Sequence, residues 1–269
     1  MPSTLGRALA LLQRYPIPLL LPTLVIAAAG VGVNQTVAGL TLSKFAHFLL
    51  FATGLLVRFL LACLGFLCVA NYTARNDAIG ERPELRNMLD SLAYPGCTKL
   101  LAGLLTRFAA TMVVAVVAAS VVLRGFRAST HHAAPRVLSG EVYSWTAIVV
   151  AVLILSRWVL AIPLFVQSEG LLSRPFAASA KAIQGLRGFA VVFTLLVEAL
   201  SYPLVRFTSP LHPHFSDGAA RYAPQFFEIL AAHGFGAVLW TWWMIVMTML
   251  AMRLQGNDEP VPAAPLAVA

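Results

Sequence analysis

Six long apolar runs alternate with short polar segments along the chain. Each run approaches or exceeds the roughly 20 helical residues that cross a hydrocarbon core of about 30 Å. Because lipid offers no hydrogen bonds to the backbone, such runs must be helical. The pattern predicts an all-α, polytopic integral membrane bundle with six transmembrane helices. The predicted spans are Pro16–Val33, Phe45–Ala70, Leu100–Leu123, Trp145–Val166, Gly188–Val205 and Ile229–Leu254.

A short amphipathic segment precedes the first, third and fifth runs. In Glu84–Leu92, Met88 and three leucines recur at the i, i+3, i+4, i+7 spacing of one helix face, opposite charged residues. The segment Phe176–Gln184 has the same pattern, with Ala180 and Ile183 on its apolar face. Both segments are too short to span a bilayer, so we predict that they lie along its inner surface.

The order of these elements indicates an internal repeat of one interfacial helix and one hairpin of spans. The predicted units within the single domain 1–254 are residues 1–72, 80–168 and 172–254. Arg82 and Arg174 each precede a proline that begins a short helix, a position that suits proline. The alternative is that any three membrane hairpins need polar connectors on one side. Residues 255–269 are rich in Pro and Ala, and we predict that they are disordered.

Composition agrees with a membrane location. Hydrophobic residues make up 59% of the chain and charged residues only 11%, far less charge than a soluble protein carries. The net charge of +8 comes mostly from arginine, and in a membrane protein such an excess is typical of cytoplasmic loops. No aromatic and basic residues interleave as in a nucleic-acid interface. Membrane lipids are therefore the expected partners, and nucleic acid is not.

The positions of Lys and Arg orient the spans. If both termini are inside, ten basic residues lie in inner segments and six in outer segments. This asymmetry favours both termini in the cytoplasm. On this topology the loops at His131 and His212 face outward, and Asn87 faces inward.

Four ionisable residues fall inside the predicted spans: Arg58, Arg107, Arg157 and Glu198. Charges at this depth are costly and are candidates for function. We predict that the Glu198 carboxylate lies within ion-pair distance of Arg107 or Arg157, since an isolated charge in hydrocarbon is unfavourable. The functional interpretation is a polar site for an anionic substrate or a lipid headgroup. The structural interpretation is an interhelical ion pair, with arginines that reach the inner surface.

Histidines provide weaker candidates. His47 and His233 lie near the outer ends of two spans and could ligate a haem or a pigment, although a membrane histidine is more often a hydrogen-bond partner. Loop histidines form two groups, His131-His132 and the pair His212 and His214 with Asp217. Neither group has the convergent spacing of a zinc site. We therefore predict neither a cofactor nor a metal.

No motif for catalysis is found. Cys63, Cys68 and Cys97 form no ligand pattern and are interpreted as small buried hydrophobes. The sequence has no nucleophile elbow, phosphate loop, HExxH or CxxC, so we do not expect an enzyme. The sixth span is unusually bulky, with three tryptophans from Trp240 to Trp243 and three methionines from Met244 to Met249. This bulk could pack internally, face lipid or receive a partner subunit.

The order of certain small motifs resembles a known family. The fourth span contains Pro163, the elbow Glu169-Gly170 follows it, and the next short helix has a central Ser179 and a terminal Gly185. With the N-terminal stretch ALALLQRYPIPLLLP, these features resemble the bacterial glycerophosphoryl diester phosphodiesterase membrane domain and related six-span proteins. The resemblance implies a six-span architecture and a location in a bacterial inner (cytoplasmic) membrane. It implies no phosphodiesterase activity here, because in that family the chemistry resides in a separate soluble barrel.

Three functions follow as hypotheses. The first is a non-enzymatic membrane module or accessory subunit that packs with a partner, favoured by the bulky sixth span and the lack of catalytic motifs. The second is a small transporter or lipid-handling protein that uses Glu198, Arg107 and Arg157, since midplane charges and repeats occur in transporters. The third is a cofactor-binding subunit of an electron-transfer or photosynthetic complex.

Overall fold

The apolar runs form long helices. The computed structural model describes residues 2–38, 44–79, 85–129, 136–208 and 222–256, and every regular element within these ranges is helical. The α-helices are α1 (Pro2–Arg14), α2 (Pro16–Ala38), α3 (Lys44–Ile79), α4 (Cys97–Ser129), α5 (Arg136–Leu155), α6 (Ala161–Gln167), α7 (Pro175–Ala182), α8 (Arg187–Thr208) and α9 (Tyr222–Leu254). Two 3₁₀ helices, Leu85–Leu92 and Ser156–Trp158, lie between them.

The all-helical class is confirmed, with four to six candidate spans. Each predicted span lies within α2, α3, α4, α5 with α6, α8 or α9. Four described stretches are long and apolar enough to cross a membrane by themselves: Ala52–Asn76, Cys97–Ser129, Ser139–Gln167 and His233–Leu254. Helices α2 and α8 meet the same criterion together with the short helices before them, across bends of 88° and 100°.

Helix α9 forms the centre of the bundle. Helices α1, α2, α3, α6 and α8 all pack against it. Its bulky residues point into the core, where Trp243, Met244, Met247 and Met249 are buried. Trp243 Nε1 also donates a hydrogen bond of 2.9 Å to Thr194 Oγ1 on α8. The large side chains of the sixth predicted span therefore pack inside the protein.

Contacts between helix ends show where the chain turns. Tyr15, just before α2, lies 6.0 Å from Tyr72 near the end of α3, measured between ring centroids. Gln167, at the end of α6, donates a hydrogen bond of 3.3 Å to the Thr248 carbonyl near the end of α9. Because α1 also packs on α9, the first and last described helices meet at this same end. We call it the short-helix end.

The first short segment adopts a different helix from the one predicted. Residues Leu85–Leu92 form a 3₁₀ helix, which has three residues per turn and so places residues three apart on one face. Met88 and Ser91 are accordingly buried, whereas Leu89, predicted on the apolar face with Met88, is exposed. The second short segment is α-helical as predicted, and Ile183 at its end is buried.

The fourth predicted span is interrupted near its end. Helix α5 continues into the 3₁₀ turn Ser156–Trp158 before α6 begins. Ser179, fully buried on α7, satisfies the backbone at this break. Its hydroxyl accepts a hydrogen bond of 3.1 Å from the Leu160 N–H and donates one of 3.1 Å to the Arg157 carbonyl. This contact fixes α7 against the break.

Helices α4 and α5 form a hairpin at the edge of the bundle. They contact each other more extensively than any other pair of helices. Helix α4 reaches the bundle through α3, where the rings of Phe59 and Phe108 stack at 3.9 Å between centroids. Its outer face exposes a set of valines: Val113, Val114, Val116, Val117, Val121 and Val122.

A candidate anion site between α4 and α7

The first turns of α4 carry a stripe that faces α7. Lys99, Gly103 and Arg107 are spaced four residues apart, which places them along one side of a helix. A Cβ atom at Gly103 would lie 2.6 Å from Cε2 of Phe176 on α7, so any larger residue would displace the ring. The glycine thus lets the Phe176 ring approach α4 between the two basic residues.

Arg107 is positioned by three elements. Its guanidinium carbon lies 3.7 Å from the ring centroid of Phe176 on α7 and 5.3 Å from that of Trp158 in the 3₁₀ turn. Arg107 Nη1 donates a hydrogen bond of 3.1 Å to the Gly103 carbonyl. The side chain therefore points back by one turn, or about 6 Å, toward the start of α4. Cation–π contacts of this kind stabilise a charge that has been partly removed from water.

A tight elbow forms the opposite side. Glu169 and Gly170 both have positive φ, at 50° and 79°, a conformation that is costly for residues with a side chain. Gly170 packs so closely on the preceding loop that a Cβ atom would lie 2.5 Å from the Pro95 carbonyl oxygen and 2.8 Å from Tyr94 Cβ. The elbow after α6 is thus locked against the turn that begins α4.

The elbow, α4 and α7 enclose an open groove with a volume of about 710 Å³. We call it the basic groove. Three cationic side chains, Lys99, Arg107 and Arg174, line it, and none of its described lining residues is acidic. Apolar side chains, including those of Phe165 and Leu171, also line the groove. A groove with several cations, no carboxylate in the described lining and an apolar wall is suited to an anion that carries a hydrophobic part.

The first turn of α7 adds backbone donors. The N–H groups of Phe176 and Ala177 have no carbonyl partner inside the helix, as for every helix start. Both residues line the basic groove. They increase the positive potential that Lys99, Arg107 and Arg174 already provide.

Of the four predicted ionisable residues, Arg107 lines the basic groove and the other three do not. Arg107 lies in the basic groove, whereas the Arg157 side chain is exposed and does not line it. Within the described residues, the Arg58 Nε is buried without a hydrogen-bond partner.

The predicted ion pair of Glu198 is not formed. Arg75 and Asp90 form a salt bridge at 3.4 Å, whereas, among the described side chains, neither Arg107 nor Arg157 pairs with Glu198. The physical reason is topological. Glu198 lies on α8, which packs against α9 and α5, whereas Arg107 lies on α4 and turns toward α7. Aromatic rings and a backbone carbonyl take the place of the carboxylate.

The other candidates have mixed outcomes. Cys63, Cys68 and Cys97 are free and buried, as expected for small hydrophobes. The described residues contain no group of three His, Cys, Asp or Glu side chains that could hold a metal ion. His131, His132, His212, His214 and Asp217 lie outside the described residues, and so does the His47 side chain.

Arg107 was among the candidates predicted from the sequence, whereas Lys99 and Arg174 were not. The spacing of Lys99, Gly103 and Arg107 was a usable signal, since four-residue intervals align side chains on a helix. No sequence pattern links this stripe to Arg174, because that contact depends on how the elbow packs. No family model, curated protein or solved structure matches this chain.

Proposed function

We propose that this chain is a non-enzymatic integral membrane protein of the lipid-handling class, which binds an anionic ligand in the basic groove. The observation that carries the proposal is the convergence of Lys99, Arg107 and Arg174 on one groove without a described acidic lining residue. This is the second of the three hypotheses drawn from the sequence, with Arg107 retained and Glu198 and Arg157 replaced by Lys99 and Arg174.

The membrane arrangement is part of the same proposal. Helices α2 and α8 contain 23 and 22 residues, enough for about 33–35 Å each at 1.5 Å per residue, which favours six spans. The short-helix end carries Arg14, Lys99, Arg174 and Arg187 among its basic residues. By the positive-inside rule, this end and both termini face the cytoplasm of a bacterium.

Analysis of co-purified molecules tests the proposal. The full chain is purified in a neutral detergent, and its bound organic-soluble and water-soluble anions are extracted and identified by mass spectrometry. We expect one anionic species that is retained by the wild type and lost in the double variant Lys99→Gln, Arg174→Gln. Lys181→Gln and Arg157→Gln are matched controls, because both side chains are exposed and neither lines the groove. Equal anion content in all variants would contradict the proposal.

The accessory-subunit hypothesis is the second candidate, and one observation favours it. The bulk of α9 supports it no longer, since that bulk is internal. The valine face of α4, in contrast, leaves six side chains uncovered. Valine is stiff at χ1 and loses little conformational entropy on packing, so such a face suits a partner helix as well as lipid.

Photo-crosslinking distinguishes a partner helix from lipid as the occupant of the valine face. A photoreactive residue at Val117 would give a discrete protein adduct if a partner helix lies there. One at Leu153, an exposed position on α5, serves as the control. Lipid adducts alone at both positions would remove the accessory-subunit hypothesis.

We also propose that the resemblance to the glycerophosphoryl diester phosphodiesterase membrane domain reflects a shared architecture. Its motif residues Gly170 and Ser179 have packing roles in the elbow and at the helix break. These roles give a physical reason for the motif without identifying a ligand.

A further inference from the structure

We infer that the basic groove holds the phosphate group of an anionic phospholipid, with the start of an acyl chain against its apolar wall. The inference rests on the proposed function, because it names the ligand of the same groove.

The free donors of Arg107 point to phosphate. A guanidinium has five N–H donors and no acceptor, and within the described residues Arg107 makes one hydrogen bond, to the Gly103 carbonyl. The Phe176 ring covers the guanidinium from above at 3.7 Å, so the donors along its edge are left for a ligand. Arginine matches the oxygens of a phosphate with two parallel hydrogen bonds.

The remaining cations lie within reach of the same headgroup. Lys99 is the third residue of α4, and the Arg107 guanidinium turns back to the level of Gly103, so about one helical turn separates the backbone of Lys99 from that guanidinium along the axis. Arg174 precedes the first residue of α7 on the other side of the groove. Three charges around one volume suit a single anionic headgroup with several oxygens.

The apolar wall points to a lipid and not to a free ion. The groove of about 710 Å³ lies in the range of pockets that hold drug-sized molecules. Leu171, at its edge, is 78% exposed, an unfavourable position in water that an acyl chain would cover. The groove also lies at the start of α4, and on the proposed membrane arrangement the end of a span is the level of the lipid headgroups.

Native mass spectrometry of the full chain tests the inference. The probes are dioleoyl phosphatidylglycerol, dioleoyl phosphatidylcholine with the same acyl chains, and inorganic phosphate. We expect one phosphatidylglycerol molecule to bind and phosphatidylcholine, which has the same phosphate, to bind at least about tenfold more weakly, because the three cations of the groove repel its trimethylammonium group. Arg107→Gln should weaken phosphatidylglycerol binding by about tenfold or more, and Arg157→Gln should not.

The variant Arg107→Lys tests whether weaker lipid binding by Arg107→Gln results from misfolding. Lysine keeps the charge but loses the planar fork, so the melting temperature should stay near the wild-type value while phosphatidylglycerol binding weakens. If phosphatidylcholine bound as tightly as phosphatidylglycerol, or if Arg157→Gln and Arg107→Gln behaved alike, the inference would be overturned. If inorganic phosphate bound alone or displaced the lipid, the lipid would be the wrong ligand although the proposed anion site would stand. If no probe bound and no anion co-purified, both proposals would fail.

Discussion

The charge of Arg107 is stabilised without a carboxylate. Arg107 has two aromatic rings and one backbone carbonyl around its guanidinium, and its long side chain reaches toward the end of the bundle. Such snorkelling removes most of the cost of a charged residue in a span. Glu198 on α8 is therefore not needed to balance it.

The first prediction concerns Glu198. Glu198→Gln keeps the size of the side chain and leaves no described arginine without a partner, so we expect the free energy of unfolding in detergent to change by less than about 0.5 kcal/mol. Thermal unfolding followed by circular dichroism measures this. Removing one partner of a buried ion pair costs about 3–5 kcal/mol, and a loss of that size would restore the ion-pair hypothesis.

The second prediction concerns Gly170. Gly170→Ala forces a Cβ atom into the Pro95 carbonyl at a residue with φ of 79°, so we expect a loss of about 1–3 kcal/mol in unfolding free energy. Gly185→Ala is the matched control, because nothing lies within 4 Å of its added Cβ. The same melting experiment compares the two variants. Equal melting temperatures would mean that the elbow is not locked.

Among the elements, the break in the fourth predicted span is the most consequential. Pro163 has no N–H, and the 3₁₀ turn Ser156–Trp158 interrupts the α-helical pattern. Two residues from later elements form hydrogen bonds with the backbone of this stretch. Ser179 accepts one from the Leu160 N–H, and Arg187 Nη2 donates one of 2.9 Å to the Leu153 carbonyl. The break matters for the site because it places Trp158 beside Arg107.

The third prediction tests this connection. Ser179→Ala leaves the buried Leu160 N–H without its acceptor, which should cost about 1–3 kcal/mol. Ser120→Ala is the control, since its hydroxyl donates within its own helix to the Val116 carbonyl. Thermal unfolding gives the stability, and hydrogen exchange at Leu160 reports whether the break has opened. A Ser179→Ala variant with wild-type stability would show that water or the lipid replaces the hydroxyl.

The whole molecule is a bundle around α9 with a hairpin at its edge. Five helices pack on α9, whereas α4 meets the bundle chiefly through α3. Residues of α9 should therefore contribute to stability, and outward residues of α4 to contacts outside the chain.

The fourth prediction compares these two surfaces. Met247 is fully buried, and Met247→Ala should lower the unfolding free energy by about 2–5 kcal/mol. Val117 is exposed, and Val117→Ala should change it by less than about 0.5 kcal/mol. Melting of both variants in the same detergent makes the comparison. If both substitutions were neutral, α9 would not be the core of the isolated chain.

The fifth prediction is the membrane topology. Thiols introduced at His131 and His212 should react with an impermeant reagent added from outside, and a thiol at Asn87 should not, because the basic short-helix end is placed in the cytoplasm. The native cysteines are buried and give a low background. Reaction of Asn87 alone would reverse the orientation.

Much of the architecture was predictable. The apolar runs are far longer than the strands of soluble proteins, and a single apolar segment of this length satisfies its backbone hydrogen bonds in lipid by forming a helix. The helix type of Leu85–Leu92 was not predictable from the sequence. The pattern of Met88, Leu89 and Ser91 fits both an α-helix and a 3₁₀ helix, and packing decides which of these side chains are buried. The site was predicted in part. Arg107 was identified by its depth, but its assumed partner was an acidic residue.

By itself, the sequence determined the helical class, the positions of the long helices and the short helices that precede three of them, because these depend on the length and period of local patterns. Tertiary structure decided which side chains meet. Phe176 lies over Arg107 at a point where Gly103 leaves room for its ring, and the elbow at Gly170 packs on Pro95. Such contacts join residues about 70 positions apart, and no local period encodes them. The basic groove therefore exists only in the folded chain.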